Sequence, residues 1–218
     1  MAKTQNTVIV PSNFHYYQPK LGHNLTHNPF KAIIGPRPIG WMSTVSTSGV
    51  LNLAPYSCFN MFSEDPPTLG FSSAGFKDTM QNIADTKEFV WNLCTRPLVT
   101  AMNISSTEVD ADVDEFVLSG LTPATSNIVS VPRVAESPVS FECRLVDLFR
   151  MKDANQNDIG NWFAYGEVVG IHIREDLLVN GVYNTATAQH VLRGGDRENY
   201  FEITPEQLFI GARPSRKI

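Results

Sequence analysis

From residue 137 to 151 apolar and polar side chains alternate. Val139, Phe141, Cys143 and Leu145 fall on one side of an extended chain, and Ser140, Glu142 and Arg144 on the other. That period of two is the mark of a strand with one buried face. Residues 161–174 predict a second long strand, joined to the first by the polar run 153–158. Upstream, residues 39–46, 52–59, 68–73 and 88–94 read as shorter strands, with turns at 47–49 and 64–67. Pro55 interrupts the 52–59 run; proline donates no backbone hydrogen bond, so this strand is expected at a sheet edge, at a bulge or at a strand end. Helical spacing is brief. Asp78 and Gln81 have the spacing of a capping box, and Met80, Ile83 and Ala84 make one apolar face of a short helix. Pro97 opens a second predicted helix through residue 105. An acidic loop (Glu108, Asp110, Asp112, Asp114, Glu115) leads to a third that stops at Gly120. Strands dominate and alternating βα units are absent. The fold class is therefore mainly β with a few helices, an antiparallel barrel or sandwich rather than a doubly wound nucleotide fold.

A chain of 218 residues with 42% hydrophobic composition is long enough for one domain with a sizeable core. We expect an N-terminal arm over residues 1–30, its second half irregular and rich in Pro, His, Asn and Gly, and a folded domain over residues 31–212. The net charge is -5, with acids and bases interspersed, which argues against a nucleic-acid or anionic-membrane surface. No apolar run approaches the ~20 residues of a membrane helix. The N-terminus lacks the apolar core of a signal peptide and reads as a short arm. Cys58, Cys94 and Cys143 are odd in number and widely spaced, suggesting neither a disulfide framework nor a zinc site. All three fall in apolar strand-like runs, where a free cysteine is a small buried hydrophobe; a reducing cytoplasm fits. No metal set, serine-hydrolase elbow or catalytic acid–base pair is singled out.

Three stretches carry candidate chemistry. Lys77-Asp78-Thr79 opens the first predicted helix, where free N–H groups and the helix dipole attract anions. Lys77 adds charge, Thr79 a hydroxyl, and Ser72 and Ser73 end the preceding strand; the same pattern describes an ordinary capped helix. Asn52-Leu53-Ala54-Pro55-Tyr56-Ser57 is a kinked strand of mostly small residues that lets backbone approach a flat heterocycle, or else a bulged edge strand. Arg193-Gly194-Gly195-Asp196, followed by Tyr200, suits a tight loop against a ligand or partner subunit, or a flexible loop.

In order, the segments PRPIGWMSTVSTSG, NLAPYSCFNMFSEDPP, GFKDTMQNIADTKEFVWNL, VDEFVLSGLTP, PRVAESPVSFECRL, GEVVGIHI and RGG…NYF resemble the flavin reductase-like, FMN-binding split-barrel family. The branch is that of flavoredoxin-like proteins and the reductase components of two-component monooxygenases. The resemblance runs from about Phe14 to Ile203. It implies a split β-barrel homodimer with one FMN per subunit near the interface. By the same resemblance Ala54, Pro55, Tyr56 and Ser57, with Asn52 before them, lie along the isoalloxazine and ribityl chain. Ser43 and Thr44 face the same pocket. Lys77 and Thr79 carry the phosphate and Asp78 orients that loop, while Ser72 is added to this set from its place at the end of the preceding strand and not from the resemblance. The segment holding Arg193, Gly194 and Tyr200 closes over the flavin, from its own or the neighbouring subunit. The implied activity is an NAD(P)H-dependent flavin reductase passing hydride from NADH or NADPH to FMN, with a flavin-dependent monooxygenase as a candidate partner. The alternative is a non-enzymatic FMN electron carrier or flavin-binding module reduced by a partner protein.

Overall fold

The computed structural model describes residues 13–212, so residues 1–12 of the expected arm lie outside it. The strands, in chain order, are β1 (Arg37–Pro38), β2 (Gly40–Val45), β3 (Leu51–Tyr56), β4 (Phe59–Glu64), β5 (Pro67–Ala74), β6 (Glu88–Asn92), β7 (Pro123–Ala124) and β8 (Arg133–Val134). The long hairpin of β9 (Val139–Lys152) and β10 (Asp158–Ile173) follows, then β11 (Leu178–Val179), β12 (Val182–Tyr183), β13 (Val191–Arg193) and β14 (Tyr200–Glu202). Among the described residues four α-helices accompany them: α1 (Phe30–Ile33), α2 (Asp78–Thr86), α3 (Val99–Ile104) and α4 (Glu115–Ser119). None of the described helices is long and apolar enough to cross a membrane.

Seven strands form one antiparallel sheet in the order β3-β2-β6-β9-β10-β5-β4. Its two end strands, β3 and β4, are joined by only Ser57 and Cys58. From Tyr56 to Phe59 such a link spans at most about 10 Å. The sheet must therefore curl until its ends meet, and the result is a split barrel with its seam at this link. The predicted strand 52–59 thus divides at the seam, and Cys58, expected to be buried, is exposed there. Three further strands, β1-β13-β14, pair beside the barrel.

Pro55 falls on an end strand, one of the three settings its chemistry allows. The Leu53 N–H is directed off the sheet, to Glu115. Two residues on, the Pro55 nitrogen has the same outward sense, so its missing hydrogen removes no ladder bond. β2 is covered on both faces. Met42 packs with Met80 and Ile83 of α2 inside the barrel, while Trp41 packs outside with Met102 of α3 and Phe116 of α4. That double burial, contributing roughly 1.5–3 kcal/mol per large apolar side chain, encloses Ser43 and Thr44 as well.

The Asp78–Gln81 capping box does not form. Lys77 is the N-cap, without a side-chain cap bond, Asp78 is the first helical residue, and Gln81 Nε2 donates to Asp85 instead. Asp114 does cap α4, its Oδ1 accepting from the N–H of Phe116 and Val117.

Gly166 on β10 lies where a Cβ would come within 2.6 Å of the Arg144 carbonyl oxygen and 2.7 Å of the Phe89 ring. Backbone limits one side and a fully buried ring the other. Gly166→Ala is expected to destabilise the barrel by about 1–3 kcal/mol, read as a lower midpoint in thermal unfolding; an unchanged midpoint would mean that β10 shifts freely.

Candidate functional site

Along the free side of β3 runs a cleft with two lobes. The first, about 310 Å³, lies between β3, the start of α2 and the loop after α3. Asn52, Ala54, Pro55 and Tyr56 line it from β3, and Lys77, Asp78 and Thr79 from α2. The second lobe, about 160 Å³, adjoins it through Pro55, Tyr56 and Ser106 and reaches Ser57, Arg193 and Tyr200. Three segments far apart in sequence, each singled out for its own residues, thus meet in one groove.

The groove has a rigid wall. Asn52 Nδ2 donates to Thr44 Oγ1 at 3.0 Å and to Thr79 Oγ1 at 2.9 Å, and Asn82 Nδ2 donates to Thr44 at 3.1 Å. This buried set ties β3 to the first turn of α2, so the helix N-terminus is held against the strand. Thr44 acts through Asn52 and does not line the cleft. Ser43 is farther away: its hydroxyl donates to the Pro132 carbonyl at 2.6 Å. Ser72 does not line the cleft either; its N–H donates to the Cys58 carbonyl. The double burial of β2 accounts for Ser43 and Thr44, and the pairing of β5 for Ser72.

Gly194 also stands back from the cleft. Its N–H donates to the Asn199 carbonyl and its own carbonyl accepts from Arg37. A Cβ on Gly195 would come within 2.6 Å of Ala32. The glycines let this loop pack on α1 of the same chain. They carry Arg193 and Tyr200 to the cleft, where the guanidinium lies 4.7 Å over the Tyr200 ring and the Tyr200 hydroxyl donates to Asn103 at 2.6 Å.

The cleft has an ionic end at Lys77, a neutral phenol in its middle and a cation over an aromatic ring at its far end. At the first, Lys77 Nζ meets Glu108 Oε1 at 2.9 Å, with both side chains largely exposed. The Lys77 hydrogen bond holds the Glu108 carboxyl below its ordinary value. In the middle, burial pushes the Tyr56 phenol up to about 12, with Asp78 and Glu115 adding to the shift and the Thr79 and Ser73 hydroxyls opposing it. Tyr56 is therefore a neutral hydroxyl at ordinary pH. Burial also raises Glu115, which is 6% exposed and was expected within a solvated acidic loop. An N-terminus with a lysine, an edge strand with free backbone groups and an aromatic, cation-bearing far end suit a long ligand with an anionic tail and a flat head.

Sequence reasoning missed Asn103, Ser105, Ser106 and Thr107 as cleft residues, and the site roles of Glu108 and Glu115. The polar residues at the end of the second predicted helix and just after it were the available signal for the first four. His23 and His27 are four residues apart, but they flank a non-helical segment. No group of three metal-ligating side chains occurs among the described residues.

Comparison with known proteins agrees with this architecture. An uncharacterized protein of Aquifex aeolicus is 39% identical over 157 residues, covering 68% of this chain and 76% of that one. Among solved structures, nitrilotriacetate monooxygenase component B of Bacillus cereus superposes with a TM-score of 0.76 at 27% identity, covering 96% of this chain and 99% of the other. The 2-nitrobenzoate 2-nitroreductase of Pseudomonas fluorescens gives 0.75 at 26% identity, covering 85% and 91%. The sequence pattern of the flavin reductase-like domain matches residues 35–191, and the chain belongs to that family.

Proposed function

We propose that this protein binds FMN in the β3 cleft and is an NAD(P)H:flavin oxidoreductase. The observation that carries the reading is the continuity of the cleft: one groove joins the N-terminus of α2, with Lys77, to the Arg193–Tyr200 pair. A flavin mononucleotide has the matching order of anionic phosphate, polyol and flat ring. When bound, FMN supplies the hydride-accepting chemistry, and the protein supplies binding, orientation and electrostatics. Lys77, Thr79 and the free N–H groups of α2 would hold the phosphate. Asn52 keeps that turn against the strand. Pro55, Tyr56 and Ser57 would flank the ring system, with Arg193 and Tyr200 at its far end. No side chain need gain or lose a proton, in keeping with a cleft whose Tyr56 is held neutral.

The same reading includes a homodimer. On the outer face of the barrel Phe163 of β10 sits between Phe149 of β9 and Phe62 of β4, each ring pair 5.5 Å apart. Phe62 is 60% exposed and Phe149 44%, an apolar strip that a second copy would cover. The likeness to a monooxygenase component B supports delivery of reduced flavin to a flavin-dependent monooxygenase. Three free cysteines support a reducing cytoplasm.

The test is a visible spectrum of the purified protein with FMN, followed without oxygen as NADH and NADPH are added separately. Rapid bleaching by one nucleotide is the expected result and names the donor. Bound FMN that neither nucleotide bleaches would overturn the reductase assignment and leave an electron carrier reduced by a partner protein.

A further inference from the structure

Glu115 is a buried carboxylate with an unusual set of neighbours. It lines the first lobe of the cleft. Its Oε2 accepts the Leu53 N–H at 3.2 Å and its own backbone N–H also meets the carboxylate; among the described residues no other residue donates to it. No cation pairs with it; the charges that bear on it are those of Asp78 and Asp114, both negative. A carboxylate so enclosed is costly to keep unless donors meet it. Holding one strand N–H could be done by a neutral acceptor. Oε1 is therefore open to donors from what fills the lobe, and closed to an anion, which the carboxylate would repel.

Resting on the flavin reading, we propose that Glu115 is the residue that recognises the polyol chain of the ligand, accepting its hydroxyl hydrogen bonds on Oε1 while Oε2 stays with Leu53. The position agrees. Glu115 lines the same lobe as Lys77 and Tyr56, and it holds the N–H of Leu53, the residue before Ala54. A ligand with its anion at the α2 N-terminus and its ring towards Tyr200 has its hydroxyl-bearing carbons there. A phosphate offers no suitable donor and a flat ring edge at most one, whereas a polyol offers several.

Three flavins separate the contacts: lumiflavin has the ring alone, riboflavin adds the polyol, and FMN adds the phosphate. Binding is read by flavin fluorescence titration of the full chain. In Glu115→Gln, which keeps an acceptor for Leu53, riboflavin affinity is expected to fall about fivefold, and in Glu115→Ala about tenfold or more. Lumiflavin affinity should stay within about twofold in both. Thermal unfolding of the Gln variant checks that the fold is kept. Riboflavin affinity unchanged in the Gln variant would overturn the proposal. So would an equal loss for lumiflavin, which would assign Glu115 to the ring imide. If the wild-type protein binds none of the three flavins, the flavin reading itself falls and this proposal with it.

Discussion

Replacing Glu142 with glutamine is expected to destabilise the protein by about 2–4 kcal/mol. For a chain of this length that lowers the thermal midpoint by roughly 5–10 °C. Glu142 is fully buried on β9. Its carboxylate accepts from the backbone N–H of Asn127, Ile128 and Val129 at 2.7–2.9 Å and from His172 Nε2 at 2.6 Å. Burial opposes its ionisation, but the Asn127 N–H, the His172 ring and the N–H groups of Val129 and Ile128 together hold it at about 2. A glutamine would turn an NH₂ towards donors and leave at least one of them unmet. The sign with pH follows from the lowered value. The folded form binds its proton less readily than the unfolded chain, so the contribution is full above about pH 4.5 and drains as pH falls towards about 2. Unfolding of wild type and Glu142→Gln across this range should therefore show the gap between them narrowing in acid. A constant gap would mean that the carboxylate charge plays no part.

Lys77→Ala is the change expected to act most on the phosphate end of the site. FMN affinity should fall about tenfold or more, through loss of a charge-assisted hydrogen bond to the phosphate. Riboflavin affinity should hardly change. The Lys77–Glu108 pair does not weaken this expectation, because an ion pair so exposed contributes little and yields to a stronger anion. Glu108→Gln should act in the opposite sense, raising FMN affinity by removing a competing negative charge from the same end. Titration of both variants with both flavins decides the point: an equal loss of riboflavin and FMN binding in Lys77→Ala would remove Lys77 from the phosphate.

Some of this molecule could be read directly from residue order. The alternation in β9 exists because one face is buried and the other wet, so each side chain reports its own side. Pro55 confined its strand to an edge, a bulge or a strand end, because a proline lacks the one donor that an interior strand must supply, and β3 is an edge. The segments holding Asn52 to Ser57, Lys77 to Thr79 and Arg193 to Tyr200 were legible because their chemistry is unusual for their setting, and all three reach the cleft. Ser43, Thr44 and Gly194, expected near the ligand from the family resemblance, and Ser72, from its place before Lys77, do not line the cleft.

Pattern alone could not show this for Ser43 and Thr44, because burial on two faces looks the same from one strand as burial on one; Ser72 is taken up by its bond to Cys58 and Gly194 by its bond to Asn199. β2 is enclosed by α2 on one side and by α3 and α4 on the other, and only the packing of those helices shows it. The same holds for Glu115. In the chain it is one acid among five; in the fold α4 turns it inward to the Leu53 N–H. Asp78 lost its cap role because the helix began one residue earlier than its side chain would suggest. What the sequence determined by itself was the period of each strand and the chemistry of each segment, which are local properties of neighbouring residues. What only the tertiary structure decided was the meeting of those segments. Curling the sheet to its seam at Ser57 and Cys58 brings distant residues within hydrogen-bonding reach, and no local pattern encodes that distance.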